Sequence, residues 1–122
     1  MREINKLGII IPCFNEENQI IESLKTLESF FEKLMAKKEM KELVFCLIDD
    51  GSKDETWKSL KAINSNRFKY ILIKLQKNYG HQNALMAGMK EIADKVDCAI
   101  SIDADLEHDI DSIPEFLEKY KE

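Results

Sequence analysis

The 122-residue sequence has no run approaching the roughly 20 apolar residues of a membrane-crossing helix, so it is not expected to span a bilayer. A signal-peptide pattern is missing too: the apolar run Leu7 to Ile11 is short, and Asn15-Glu16-Glu17 follow closely. No CxxC pair joins the three cysteines, Cys13, Cys46 and Cys98, which stand far apart among apolar neighbours. Their number and spacing speak against a disulfide framework or thiolate metal site, and for buried thiols in a reducing, cytoplasmic compartment. Surplus basic charge is lacking, the net being −5, which argues against a nucleic-acid binder. Repeats, low-complexity segments and linkers are absent as well. What is plentiful is hydrophobic residue, 44%, enough at this length for one core, hence a single domain over 1–122.

The apolar residues fall into two alternating patterns. Leu7–Ile11, Leu43–Ile48, Tyr70–Ile73 and Cys98–Ile102 are short, strongly apolar runs that read as strands covered on both faces. Between the first two, Ile20, Leu24, Leu27, Phe31, Leu34 and Met35 form one helical stripe. Ser52-Lys53-Asp54-Glu55 reads as a capping box opening a second helix with Trp57, Leu60 and Ile63. Residues 81–93 read as a third helix, and Ser112-Ile113-Pro114-Glu115 opens a fourth. A β-α-β-α-β-α-β-α order predicts an α/β fold: a three-layer, mostly parallel sheet with helices on both faces. Ligands of such sheets bind beyond the carboxyl ends of the strands.

Charge is distributed unevenly along this pattern. Residues 1–102 hold 16 basic and 15 acidic groups, whereas residues 103–122 hold 2 and 8. The surplus begins at Asp103-Ala104-Asp105, directly after the fourth apolar run. Two carboxylates one residue apart raise each other's pKa unless a cation offsets them. Mg²⁺ and Mn²⁺ favour oxygen ligands and are commonly shared with substrate phosphates, so a divalent metal and a diphosphate-bearing substrate are the natural partners. The other strand ends are polar too: Pro12-Cys13-Phe14-Asn15-Glu16-Glu17, Asp49-Asp50-Gly51-Ser52 and Lys77-Asn78-Tyr79-Gly80-His81. Asp49-Asp50 offers a second acidic contact, able to accept from a base N–H or a ribose hydroxyl.

These four segments, in this order, resemble the family 2 glycosyltransferases of the GT-A fold. Asp103-Ala104-Asp105-Leu106 is most similar to the polyprenyl-phosphate sugar transferases among them, such as dolichol-phosphate mannose synthase. The resemblance runs from residue 7 to about residue 117. It implies a nucleotide-sugar site at Pro12, Phe14, Asn15, Glu16, Asp50, Lys77, Asn78, Gly80 and Asp103. Phe14 stands where tyrosine is more usual. The resemblance further implies a Mn²⁺ or Mg²⁺ site at Asp103 and Asp105, with Glu107 where relatives often carry glutamine. The implied reaction moves a sugar, with inversion, from a UDP- or GDP-sugar to a lipid-phosphate or saccharide acceptor. Family catalytic domains continue well beyond this length. The chain is therefore expected to be the donor-binding N-terminal portion, inactive alone, of a protein at the cytoplasmic face of a membrane. Any general base is expected in the remaining part.

Plainer readings apply to other residues. Trp57, Met86 and Met89 read as core, His108 as surface, and Asp109 and Asp111 as solvated or helix-capping acids, while His81 stands equally as helix cap or substrate contact. A receiver-type signalling module shares the β/α alternation, but it needs its acidic pair after strand one. A sugar nucleotidyltransferase needs a glycine-rich loop there, and Pro12–Glu17 contains no glycine. A non-catalytic binding module is the remaining alternative.

Overall fold

In the computed structural model, which describes residues 4–38, 40–106 and 110–121, every apolar run becomes a strand. The elements are β1 (Lys6–Cys13), α1 (Ile20–Lys38), β2 (Glu42–Asp49), α2 (Thr56–Lys61), β3 (Lys69–Lys74), α3 (His81–Ile92), β4 (Cys98–Ser101), a 3₁₀ turn (Ile110–Ser112) and α4 (Ile113–Lys121). All strand pairs are parallel, in the order β3-β2-β1-β4. The chain winds outward from β1 to β3, then returns to place β4 on the other side of β1. Strand order thus reverses between β1 and β4, where open α/β sheets form a ligand crevice. A receiver-type sheet, ordered 2-1-3-4-5, would set its third strand beside the first. Here β3 pairs with β2.

Alternation along the strands divides the core in two. Leu7, Ile9 and Ile11 of β1 and Leu43, Phe45 and Leu47 of β2 face α1, α2 and α4, meeting Leu24, Leu27, Phe31, Leu60, Ile113 and Leu117. Phe45 is the centre of an aromatic cluster, edge-on to Phe31 and Phe68 and stacked on Tyr70 at 5.0 Å. The opposite face carries Ile10, Cys46 and Ile48 under α3.

That second helix contact corrects one expectation. Met86 and Met89 are not core: they are 54% and 44% exposed. The buried face of α3 is Ala84, Gly88 and Ile92, spaced i, i+4, i+8. A Cβ on Gly88 would lie 2.7 Å from Ile48 Cδ1 and 2.8 Å from Ile10 Cγ2, so the helix rests on the sheet through small residues and its methionines turn outward. Trp57 does pack on the larger core, with the Lys74 ammonium 5.6 Å from its ring centroid.

The expected capping box at Ser52 is also corrected. Helix α2 starts at Thr56, and Ser52 and Asp54 serve the loops around the strand ends instead. Helix α4 does begin directly after Ser112, with Pro114 in its first turn. The three thiols are free and buried. Burial pushes Cys46 up to about 11 and Cys13 higher still, which leaves them as inert apolar groups at neutral pH. Among the described residues no helix is long and apolar enough to cross a membrane.

Candidate functional site

All four strands end at one cleft of about 490 Å³, lined by Pro12, Cys13, Phe14, Glu16, Asp50, Asn78, Gly80, His81, Asp103, Ala104 and Asp105. Residues far apart in sequence meet there because parallel strands all finish at the same edge of the sheet. The cleft has two rims of different construction.

One rim is made by the loops after β1, β2 and β3. Asn15, at φ 54°, turns back from β1, donating its N–H to Ser52 Oγ at 2.9 Å and accepting from Lys53 N–H at 2.9 Å. The next two amides follow suit: Glu16 N–H donates to Thr56 Oγ1 at 2.8 Å and Glu17 N–H to Asp54 Oδ2 at 3.2 Å. Burial draws the Asp54 carboxyl upward. Hydrogen bonds from the Thr56 hydroxyl and N–H and from Glu17 N–H outweigh this and hold it below the usual carboxylate value.

The second and third loops interlock as tightly. Asp50, 3% exposed, accepts Tyr79 N–H on Oδ1 at 2.8 Å, while Asn78 Nδ2 donates to the Asp50 carbonyl at 3.3 Å. Gly51, at φ 69°, lies so close that a Cβ there would sit 2.2 Å from the Lys77 carbonyl carbon. Asp49 separates from its neighbour: it is 1% exposed and accepts Ser52 N–H at 3.0 Å, so only Asp50 of the pair lines the cleft.

The other rim is the turn after β4. Ile102 N–H continues the ladder to Ile10 O at 3.0 Å. Ile102 and Ala104 are buried, and Asp103 and Asp105, alternating with them, line the cleft. Leu106 N–H donates to Asp103 O at 3.0 Å, closing the turn, with Leu106 at φ 56°. A branched leucine in this left-handed region is strained and is held there by packing, here against the larger core. Ser23 of α1 donates its hydroxyl to Ala104 O at 2.7 Å.

Most of the anticipated residues therefore share one cavity: Pro12, Phe14, Glu16, Asp50, Asn78, Gly80, Asp103 and Asp105. Asn15 and Lys77 do not line it. Asn15 ties loop to loop, and the Lys77 ammonium lies 5.2 Å from the Tyr79 ring centroid. Glu107, His108 and Asp109 lie outside the described residues. His81 opens α3 at the cleft wall, after Gly80 at φ 98°, with no side chain capping the helix. Ser52, Thr56 and Ser23 were not legible in the sequence as residues that build the site, because their partners lie 37, 40 and 81 residues away.

The donor set bears on a divalent metal. Among the described residues no group of three or more His, Cys, Asp or Glu side chains converges to hold one. Two carboxylates on an open cleft fit a cation whose other positions are filled by phosphate oxygens and water.

The chain matches the pattern of the family described as "Glycosyl transferase family 2" over residues 8–122, nearly its whole length. It belongs to glycosyl transferase family 2. Among curated family relatives, an uncharacterized glycosyltransferase, YkoT of Bacillus subtilis, is 44% identical over 95% of this chain and 35% of its own length. An undecaprenyl-phosphate 4-deoxy-4-formamido-L-arabinose transferase of Klebsiella pneumoniae is 31% identical, with 98% and 35% covered. A bactoprenol glucosyl transferase of Shigella phage SfV is 34% identical, with 95% and 36% covered. The chain thus spans about a third of the length of these relatives. The solved structure of S. aureus TarS 1-349 in complex with UDP superposes with a TM-score of 0.65 at 20% identity, over 95% of this chain and 33% of that one. This likeness shows the GT-A glycosyltransferase fold, an α/β architecture with a parallel sheet.

Proposed function

We propose that this chain is the donor-nucleotide half of a metal-dependent glycosyltransferase that moves a sugar from a nucleoside diphosphate to a polyprenyl phosphate. The observation that carries this reading is the single cleft, which sets an aromatic face (Phe14) and a buried carboxylate (Asp50) across from an acidic pair (Asp103, Asp105). Phe14 supplies a flat apolar surface for a base, and Asp50, already oriented by Tyr79 N–H, accepts from a base N–H. Glu16, Asn78 and Gly80 line the same cleft. Asp103 and Asp105 would hold Mn²⁺ or Mg²⁺, with Glu107 as a third oxygen donor. When bound, the cation supplies charge neutralisation for the diphosphate leaving group.

In the transfer, an acceptor oxygen forms a bond to the anomeric carbon. The bond from that carbon to the diphosphate breaks, and the nucleoside diphosphate leaves with the electron pair. A phosphate acceptor is ionised at neutral pH and attacks without a general base, whereas a sugar hydroxyl requires one. The polyprenyl-phosphate acceptor is supported by the undecaprenyl-phosphate and bactoprenol substrates in the relatives' names. UDP is supported by the TarS complex. A lipid-phosphate acceptor puts the whole protein at a membrane surface, its donor site toward the cytoplasm. The remaining two thirds, by the relatives' length, would bring the acceptor half and any base.

The test is a thermal-shift panel of UDP-, GDP- and CMP-sugars with and without Mn²⁺. A ligand present at a hundred times its dissociation constant contributes about 2.7 kcal/mol to stability, a readily measured shift. A shift with one nucleotide class, enlarged by Mn²⁺, is the expected result. No shift with any sugar nucleotide would leave a non-catalytic binding module as the better reading.

A further inference from the structure

Ser23 occupies an odd position for a hydroxyl. Helix α1 buries Ile20, Leu24, Leu27, Phe31 and Leu34, and Ser23, 7% exposed, sits inside that stripe. A buried hydroxyl is unfavourable unless it is hydrogen-bonded, and helical serines commonly satisfy themselves on the carbonyl one turn back. Ser23 instead donates across 81 positions to the carbonyl of Ala104, at 2.7 Å. That carbonyl belongs to the residue between the two cleft carboxylates. The peptide it fixes joins Ala104 to Asp105, and one residue further the backbone passes through the strained left-handed conformation of Leu106.

We propose that Ser23 is a positioning residue for the acidic turn: its hydroxyl fixes the Ala104 peptide so that Asp103 and Asp105 face the same cation. The proposal rests on the reading of this turn as the metal and diphosphate side of the cleft. Packing alone would be satisfied by alanine. The hydroxyl is needed because the turn's backbone is strained and must be held in one orientation before the ligand arrives. Ser23 lies behind the turn, so it acts through Asp103 and Asp105 and touches neither nucleotide nor metal.

The test titrates UDP into the 122-residue chain with and without Mn²⁺, for wild type, S23A, S23T and D103N. Loss of one buried hydrogen bond should weaken Mn²⁺-dependent UDP binding in S23A by about fivefold to tenfold. Metal-free UDP binding should be unchanged, which a general loss of structure would not spare. S23T, which keeps the hydroxyl, should restore most of the difference. Amide hydrogen exchange at Asp105 and Leu106 should quicken in S23A and not at Asp50 or Tyr79. Should S23A fail to fold, S23C, with a weaker donor of similar size, carries the same expectations. A Mn²⁺ gain intact in S23A but abolished in D103N would overturn the role of Ser23 while leaving the cleft's function standing. An absent Mn²⁺ gain in wild type, or an intact one in D103N, would overturn both.

Discussion

The two rims of the cleft are built on opposite plans. The rim formed by the loops after β1, β2 and β3 is cross-linked loop to loop by backbone amides and short side chains, with Gly51 pressed against the Lys77–Asn78 backbone. The acidic rim is one turn, fixed from behind by Ser23 and by the packing of Ala104 and Leu106. The first plan yields a preformed surface for a rigid, flat group. The second sets two carboxylates on the wall of one open cleft. A nucleoside and a metal-bound diphosphate are the ligands that would need these two kinds of rim side by side.

The cross-linked rim is most sensitive at Gly51. Gly51→Ala would put a Cβ into the neighbouring loop at a positive φ, and should cost about 3 kcal/mol in urea-unfolding free energy. A loss under about 1 kcal/mol would mean that the loops part easily. Next comes Asp50→Ala, which leaves Tyr79 N–H without its acceptor. It should weaken nucleoside binding by about tenfold or more in calorimetry, equally with and without Mn²⁺. Asp103→Asn and Asp105→Asn should do the reverse, removing the Mn²⁺ gain in UDP affinity while uridine binds as before. Their fold stability should change little, because both side chains line the cleft and not the core.

The smallest effect is one of pH. The Asp54 carboxyl titrates below its ordinary value in the folded chain, so its contribution is fully present above the unfolded value near 4. It is lost as pH falls through the lower folded value, because the unfolded state then binds more protons. Asp54→Asn should therefore flatten the acid side of the stability profile slightly, read as melting temperature against pH.

The sequence made the sheet legible because buried parallel strands are continuous apolar runs, and it made the cleft legible because four polar segments follow those runs. Met86 and Met89 misled because hydrophobicity outweighs size in a periodicity argument. The helix that approaches a sheet most closely presents its smallest residues, here Ala84 and Gly88. Ser52 misled for another reason. A serine three residues before a glutamate is a local capping signal, but a tertiary partner, Asn15 N–H, claimed its hydroxyl. Asn15 and Ser23 follow the same rule. Their roles depend on partners that only the folded sheet brings near, so neither loop composition nor helical period could have revealed them.

The division of the cleft can be measured most directly by calorimetric titration of uridine and of UDP, each with and without Mn²⁺. Mn²⁺ should tighten UDP and leave uridine unchanged, as expected if only the diphosphate reaches the acidic rim. Equal tightening of both ligands, or none of UDP, would contradict it.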